Sequence, residues 1–159
     1  MKVIIFAAFI AFLVDQFSKY TVVYLFELNR VREIAVFNPF LNFRYGENRG
    51  INFGIFGNAP DAIRWVLVAF ALLIIIAVLY WVYQYRHHLV MTISAGVLIG
   101  GAVGNLLDRV IHGFVIDFLN MSCCGINNPY VFNIADIFVV FGAIGLIYFE
   151  SRVRHIKST

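Results

Sequence analysis

The stretch from Ile63 to Tyr85 reads IRWVLVAFALLIIIAVLYWVYQY, and it decides what kind of protein this is. It carries no charge after Arg64, and about 20 apolar residues are enough to cross a bilayer as a helix. Trp65 and Trp81 lie near its two ends, where aromatic side chains favour the membrane–water interface. The stretch therefore predicts a transmembrane helix.

The rest of the chain has the same apolar character. Its 159 residues are 62% hydrophobic and only 13% charged, and the mean hydropathy is +0.85, whereas soluble domains are about half apolar. This length suits one domain, so we expect a single membrane-embedded domain over residues 1–159. The net charge of +3 is spread thinly without a basic stripe, and nucleic acid is not an expected partner.

Three further apolar segments are predicted to span the membrane, at residues 3–26, 89–107 and 133–149. The first contains Asp15 and Lys19, and its basic start is typical of a signal peptide. No small-residue cleavage site follows it, so we expect a retained helix. Four spans put both termini on one side, but Lys and Arg are almost evenly divided between the two sides. The positive-inside rule therefore does not orient the chain.

Two segments lie outside these spans. Residues 27–62 include VFNPFLNFRYGENRGINFGIF, where turn residues separate short apolar runs, and this pattern predicts short strands in a small extramembrane sheet. Residues 108–132 fall on the same side, and we expect a loop or helix there. Cys123 and Cys124 lack metal-ligand spacing, and they are interpreted as ordinary loop thiols in preference to a nucleophile or a strained vicinal disulfide. His112 is interpreted as a solvated loop histidine.

Small and polar residues in the spans have structural explanations. Gly96, Gly100 and Gly104 recur every four residues, which lets a second helix approach closely. Asn105 follows them and is available to bond a neighbouring helix or loop. Arg109 is predicted either to tie this corner to a carboxylate or backbone carbonyl or to be a plain interfacial anchor.

Asp15 and Lys19 lie four residues apart and share one helix face. Charged residues within a membrane span are costly and are usually paired. The favoured interpretation is a structural ion pair that holds the first helix to its neighbours.

Two further acids lie at the edges of the last two spans. Asp136 is one turn into the fourth predicted helix, which Asn133 could cap, so a capping role explains Asp136 alone. Asp117, flanked by apolar residues, has no such explanation. Two carboxylates in contact do not easily both ionise, so one could act as base on water and the other as acid. Spacing leaves this pairing open, and no serine motif offers a nucleophile.

Four blocks of the chain resemble the lipoprotein signal peptidase (signal peptidase II) family of bacterial membrane aspartyl proteases. In chain order they are DQFSK, ENRGINFG, GGAVGNLLDRVIHGFVIDFL and FNIADIF. The resemblance implies four transmembrane helices, both termini cytoplasmic and a small sheet on the outer membrane surface. It implies a catalytic pair at Asp117 and Asp136, without cofactor or metal. Supporting positions carry over to Asp15, Lys19, Asn48, Gly101, Asn105, Arg109 and Asn133.

The same resemblance implies the substrate and the location. The substrate would be a prolipoprotein whose cysteine carries a diacylglyceryl group, cut just before that cysteine. The protein would be a monomer in the bacterial cytoplasmic (inner) membrane, surrounded by lipids, with its active site near the outer leaflet and with peptide-like antibiotics as inhibitors. Cys123 and Cys124 are not catalytic residues of the family.

Two other functions remain open on the residues alone. One is an ion- or proton-coupled transporter that uses Asp15, Lys19, Asp117 and Asp136 as a relay. Transporters usually carry internal repeats, and none is visible here. The other is a non-enzymatic membrane scaffold built on the glycine stripe, which leaves Asp117 unexplained.

Overall fold

The computed structural model describes residues 1–37, 40–50, 60–83, 88–123 and 128–157. Most of these residues are helical, and three strands form one small sheet. The elements in chain order are α1 (Lys2–Tyr20), a π-helical turn (Thr21–Leu25), α2 (Leu28–Val31), β1 (Glu33–Phe37), β2 (Leu41–Asn48), α3 (Pro60–Tyr83), α4 (Leu89–His112), β3 (Val115–Asn120) and α5 (Ile134–Lys157).

Three helical segments of the described chain are long and apolar enough to cross a membrane. They are Lys2–Leu25, Asp61–Tyr83 and Leu89–His112. Large apolar side chains lie on their outer surfaces, and Leu73 in the middle of α3 is 64% exposed. Water would penalise such a surface, whereas lipid covers it at little cost. Three of the four predicted spans therefore coincide with helices that are long and apolar enough to cross a membrane.

The fourth predicted span, 133–149, lies in α5. Among the described residues, this helix is not one of the three segments identified as long and apolar enough to cross a membrane. The helix also continues beyond the predicted end of the span, through Arg152 and Arg154 to Lys157. Charged residues end a membrane crossing without ending a helix, because Arg and Lys are good helix formers. The structure thus establishes a long helix at this position.

Helix α4 lies at the centre of the bundle and contacts α1 through its glycine stripe. A methyl group on Gly96 would lie 2.6 Å from Ala7 Cβ, and one on Gly100 would lie 2.7 Å from Ala11 Cβ. Such contacts are far too short, so only glycine allows the two backbones to approach this closely. The predicted packing role of the stripe is confirmed.

Helix α5 approaches another face of α4 in the same way. A methyl group on Gly101 would lie 3.1 Å from Phe138 Cβ, and one on Gly142 would lie 2.7 Å from Leu98 Cβ. Glycines on both helices therefore bring the first half of α5 close to the middle of α4. This close packing brings the polar ends of the two helices together.

The sheet is antiparallel with strand order β1-β2-β3, and it confirms the predicted small sheet. Its third strand was not predicted, since a loop or helix was expected over 108–132. In the structure α4 extends to His112, Gly113 ends the helix in the left-handed conformation (φ 86°), and β3 begins two residues later. The continuous apolar run around Asp117 is a fully buried strand.

Two smaller predictions for this segment are wrong. His112 is exposed, as expected of a solvated histidine, but it is the last residue of α4 and not a loop residue. Cys123 is disulfide-bonded and is not a loop thiol. Cys124 lies outside the described residues.

Phe132 joins the strand region to the start of α5. Its backbone pairs with Leu119 of β3 through two hydrogen bonds, Leu119 N to Phe132 O (2.8 Å) and Phe132 N to Leu119 O (3.0 Å). Phe118 and Leu28 form a second apolar core beneath the sheet with Phe132 against it. The residue after Phe132 is Asn133, so this pairing brings the first residue before α5 beside Asp117.

Candidate active site

The polar residues predicted for the site meet at one corner, where α1, α4, β3 and α5 converge. Asp117 lies on β3 between two apolar residues. It is only 1% exposed, which is unusual for a carboxyl group. It accepts a hydrogen bond from Asn133 Nδ2 on Oδ1 (2.6 Å) and one from Asn48 Nδ2 on Oδ2 (3.0 Å). A buried carboxyl group with two amide partners is held in one orientation.

The carboxyl group of Asp117 is difficult to ionise. The pKa of Asp117 is raised from 3.8 to about 7, chiefly by burial and also by the nearby carboxylate of Asp136. The hydrogen bonds from Asn48 and Asn133 act in the opposite direction, since they stabilise the charged form. Burial is the largest of these effects, and Asp136 is close enough to interact electrostatically with Asp117.

Asp136 lies in the first turn of α5 and forms a reciprocal cap with Asn133. The Asp136 N–H donates to Asn133 Oδ1 (2.9 Å), and the Asn133 N–H donates to Asp136 Oδ2 (3.1 Å). This arrangement corresponds to a capping box, with a shorter acid in place of the usual Glu. The predicted capping role is confirmed, and the second oxygen of Asp136 remains available for other partners.

Asn105 connects α4 to this pair. Its Nδ2 donates to Asp136 Oδ1 (2.8 Å), and its Oδ1 accepts from Asn133 Nδ2 (3.0 Å). Asn133, which is fully buried, therefore contacts Asp117, Asp136 and Asn105 at once. The predicted hydrogen bond from Asn105 to a neighbouring helix is confirmed.

Arg109 adds a positive charge to the same corner. Its Nη1 donates to the carbonyl of Asn105 in its own helix (3.2 Å), and its buried Nε has no partner among the described residues. It makes no ion pair with a described carboxylate, but it interacts electrostatically with Asp136 first and then with Asp117 and Asp108. Arg109 was predicted either to tie this corner to a carboxylate or backbone carbonyl or to be an interfacial anchor. It does bond to a backbone carbonyl, but that carbonyl belongs to its own helix α4.

Gly101 lies behind these side chains. A Cβ at this position would collide with the carbonyl oxygen of Ala135. Ala135 immediately precedes Asp136, so Gly101 determines how closely the first turn of α5 can approach α4. Its contribution to the site is this close approach of two backbones.

A second polar cluster lies deeper, against α1. Lys19 Nζ lies 2.8 Å from Asp15 Oδ2 and 2.8 Å from Asp108 Oδ2, and all three residues are at most 3% exposed. Gln16 Nε2 donates to Asp15 (3.1 Å) and to Asp108 (3.0 Å). The predicted Asp15–Lys19 pair is confirmed, and it is part of a larger network.

Sequence reasoning missed Asp108 and Gln16 as members of this network. Asp108 is the polar neighbour of Arg109 at the end of a predicted span, and no pattern in the sequence links it to Lys19. Gln16 carried one usable signal, since it lies between Asp15 and Lys19 inside an apolar helix. Within the described part of the chain, no group of three or more His, Cys, Asp or Glu side chains is arranged to hold a metal ion.

A narrow cavity of about 150 Å³ opens between α3, α4 and α5 beside this corner. Its walls are mostly apolar, and Asn105 and Arg109 contribute its polar part. Its lining residues are Leu67, Phe70, Ala71, Ile74, Leu98, Ala102, Asn105, Arg109 and Val139. An apolar wall that ends at polar side chains suits a chain segment that enters from lipid.

Two solved bacterial membrane enzymes have the same fold. One, determined at 1.9 Å resolution, superposes with a TM-score of 0.78 at 28% identity and covers 93% of this chain and 92% of its own. The other, determined at 2.3 Å, gives a TM-score of 0.77 at 27% identity over 96% of this chain and 89% of its own. The fold and the apolar helices define a multi-pass membrane enzyme.

Sequence relatives identify the family of this chain. The chain is 38% identical to the lipoprotein signal peptidase of Clostridioides difficile over 88% of this chain and 91% of the relative. It is 37% identical to that of Alteromonas mediterranea over 87% of this chain and 74% of the relative. The family model for signal peptidase (SPase) II matches residues 7–152. The chain belongs to the signal peptidase II family, a family of aspartic proteases.

Proposed function

We propose that residues 1–159 form one membrane aspartic endopeptidase domain that removes the signal peptides of prolipoproteins. Family membership supports the reaction class and the substrate. The observation that carries the proposal is the buried contact set around Asn133, which bonds to both Asp117 and Asp136. These two acids are the proposed catalytic dyad.

The environments of the two acids support different roles. Burial raises the pKa of Asp117 to about 7, so this carboxyl group can hold a proton at neutral pH. Asp136 lies at the N-terminus of α5, where the helix dipole favours a negative charge, and receives a hydrogen bond from Asn105. Asp117 is therefore the proposed general acid and Asp136 the general base.

The reaction then needs only one water. Asp136 takes a proton from the water, whose oxygen attacks the scissile carbonyl carbon, while Asp117 gives its proton to the carbonyl oxygen. As the tetrahedral intermediate collapses, the C–N bond breaks and the leaving nitrogen takes the proton held by Asp136. The hydroxyl proton returns to Asp117, which restores the starting state of the dyad.

The substrate is proposed to be a prolipoprotein whose cysteine bears a diacylglyceryl group, with cleavage just before that cysteine. The cavity between α3, α4 and α5 supports this substrate class, since its apolar walls lead to Asn105, which bonds to Asp136. Asn48 and Arg109 are the proposed polar contacts at the edge of the dyad. Peptide-like antibiotics that mimic the substrate would bind in the same place.

Helix α5 is proposed to be the fourth transmembrane helix. Its 24 residues would extend about 36 Å, enough to cross the hydrocarbon core. Side chains along its outer face are more than half exposed and apolar: Val140, Phe141, Ile144 and Ile147. Both termini would then be cytoplasmic, and the sheet and the dyad would lie at the outer leaflet of a bacterial inner membrane, in a monomer.

Cleavage of a purified substrate tests the function. The wild-type protein in detergent should convert diacylglyceryl-prolipoprotein to the shorter form, and Asp117→Asn and Asp136→Asn should each reduce the rate at least about 10²-fold. Because the two acids act as a unit, the double variant should be little worse than either single one. Asp61→Asn, an exposed acid on α3, is the matched control and should cleave normally.

The same preparations distinguish the proposal from a transporter. Wild-type protein in liposomes should show no ion flux that depends on Asp117 or Asp136. Flux without cleavage would contradict the peptidase function. Near-normal cleavage by either single variant would leave the peptidase function intact but would refute the dyad, and Asp108 would be the next acid to test.

A further inference from the structure

The ammonium group of Lys19 has three oxygen partners inside the protein. It contacts Asp15 Oδ2 at 2.8 Å, Asp108 Oδ2 at 2.8 Å and Asn105 Oδ1 at 3.3 Å. The contacts with Asp15 and Asn105 are hydrogen bonds and the contact with Asp108 is an ion pair, so the ammonium, which has three donors and no acceptor, faces three oxygens. Each of the three partners in turn contacts a segment that carries one of the two proposed catalytic acids.

The first connection leads to β3. Asp108 Oδ2, which pairs with Lys19, accepts the backbone N–H of Ile116 (3.2 Å). Ile116 immediately precedes Asp117. A buried carboxylate from α4 therefore holds the strand at the residue next to the proposed general acid.

The second connection leads to α5. Asp15 Oδ1 accepts the backbone N–H of Ala135 (2.9 Å), while its other oxygen pairs with Lys19. Ala135 immediately precedes Asp136. The strand and the helix are thus held in the same way, each by a buried carboxylate bonded to the residue before its acid.

The third connection fixes the orientation of an amide. Asn105 Oδ1 accepts from Lys19 and also from Asn133 Nδ2. Because Lys19 can only donate, the oxygen of Asn105 must face it, and the Nδ2 of Asn105 must then face Asp136 Oδ1, which it contacts at 2.8 Å. Lys19 thereby determines which end of Asn105 meets the proposed general base.

We propose that Lys19 is a positioning residue for the reaction, which sets the separation and orientation of Asp117 and Asp136 through Asp108, Asp15 and Asn105. The inference rests on the proposed function, because it assigns both acids to catalysis. A simple ion pair that locks α1 to the bundle would need only one carboxylate. It would not account for two carboxylates that each hold the residue before an acid.

Amide hydrogen exchange, measured by NMR on the detergent-solubilised protein, tests the geometry directly. Asp108→Ala should raise the exchange rate of the Ile116 amide about tenfold or more and leave that of Ala135 unchanged. Asp15→Ala should do the reverse, and Lys19→Met should raise both. Exchange reports local opening, so a general loss of stability would instead raise the rates across the helices.

Kinetics on lipidated prolipoprotein test the consequence. Lys19→Met should lower kcat by about 10- to 100-fold, because a small misplacement of catalytic groups is costly. KM should stay within about twofold, since Lys19 is buried and does not itself line the cavity. Lys19→Arg, which keeps a cation between the two carboxylates, should recover part of kcat. The matched control is Arg30→Met, which removes the cation of the exposed Arg30–Glu27 pair and should change neither constant.

Each outcome decides the proposal. If a folded Lys19→Met protein shows unchanged amide exchange at Ile116 and Ala135, the proposal is overturned. It is also overturned if these two amides exchange faster in Lys19→Met while its kcat equals that of the wild type. If Lys19→Met does not fold, the near-isosteric Asp108→Asn replaces it, and a kcat equal to wild type would then overturn the proposal. A wild-type protein that never cleaves, with the exchange pattern as expected, would instead refute the proposed function.

Discussion

Neighbouring groups act in opposite directions on the pKa of the Asp117 carboxyl group. Burial and the carboxylate of Asp136 raise its pKa, Asn48 and Asn133 donate hydrogen bonds that lower it, and the net value is about 7. Asp117 therefore changes its protonation near neutral pH, which is far above the range of an exposed aspartate. A general acid with such a pKa works best at or below that pH.

The first prediction concerns the pH profile of the wild-type protein. Below about pH 7 Asp117 holds its proton and can donate it to the carbonyl oxygen. As the pH rises through 7 this proton is lost, so kcat/KM should fall about tenfold per unit on the alkaline side. Rates measured on the lipidated substrate from pH 5 to about 9 check this, and a flat profile across pH 7 would contradict the assignment of Asp117 as acid.

A second prediction uses Asn48, whose hydrogen bond lowers the pKa of Asp117. Asn48→Leu removes that donor, so ionisation becomes harder and the alkaline limb should move to higher pH. Asn42→Leu is the matched control, because Asn42 lies on the same strand and makes no described contact with Asp117. A limb that moves to lower pH in Asn48→Leu would contradict the proposed effect of this hydrogen bond.

At the scale of elements, the contact between α1 and α4 depends on one methyl group. In Gly100→Ala the new Cβ would press on the carbonyl oxygen of Ala8, which cannot move aside as a flexible side chain could. Overpacking of this kind costs about 1–3 kcal/mol, so the thermal unfolding midpoint should fall. Val90→Ile adds a methyl group on the exposed surface of the same helix and should leave the midpoint unchanged.

The elements also differ in how far the sequence could predict them. The core of α3 was predictable because its apolar run is long enough to cross a bilayer. The end of α4 was not predictable, because the number of apolar residues needed to cross a bilayer shows where a helix enters water. It does not show where the helix ends. The strand β3 was missed because all six of its residues are buried, so no alternation of polar and apolar residues reveals it.

The same distinction applies to the site. The spacing of Asn133 and Asp136 predicts a cap, since both residues belong to one helix start. The bond between Asn48 and Asp117 joins residues 69 positions apart, and only the sheet register brings them together. The resemblance pointed to both positions, but their contact could be seen only in the folded chain.

In the proposed topology of the whole molecule, β1 and the start of α4 lie on opposite sides of the membrane. In a background with Cys123→Ser and Cys124→Ser, a cysteine introduced at Val36 in β1 should react with a membrane-impermeant maleimide in intact cells. A cysteine introduced at Leu89, at the start of α4, should react only after the cells are opened. Both side chains are exposed on the protein, Val36 in the sheet and Leu89 at the very end of its helix, so the side of the membrane is the main difference between them. The opposite pattern would invert the proposed topology.

The bond between Asp15 and Ala135 also sets the time at which a working site can exist. It joins residues 120 positions apart, one in the first long helix and one at the start of the last. A ribosome has therefore made most of the chain before Asp136 can be held in place beside Asp117. With Asp136 as a proposed catalytic residue, we expect the growing chain to stay inert until then towards the signal peptides of other proteins emerging in the same membrane. Order of synthesis alone delays proteolysis until the bundle is complete.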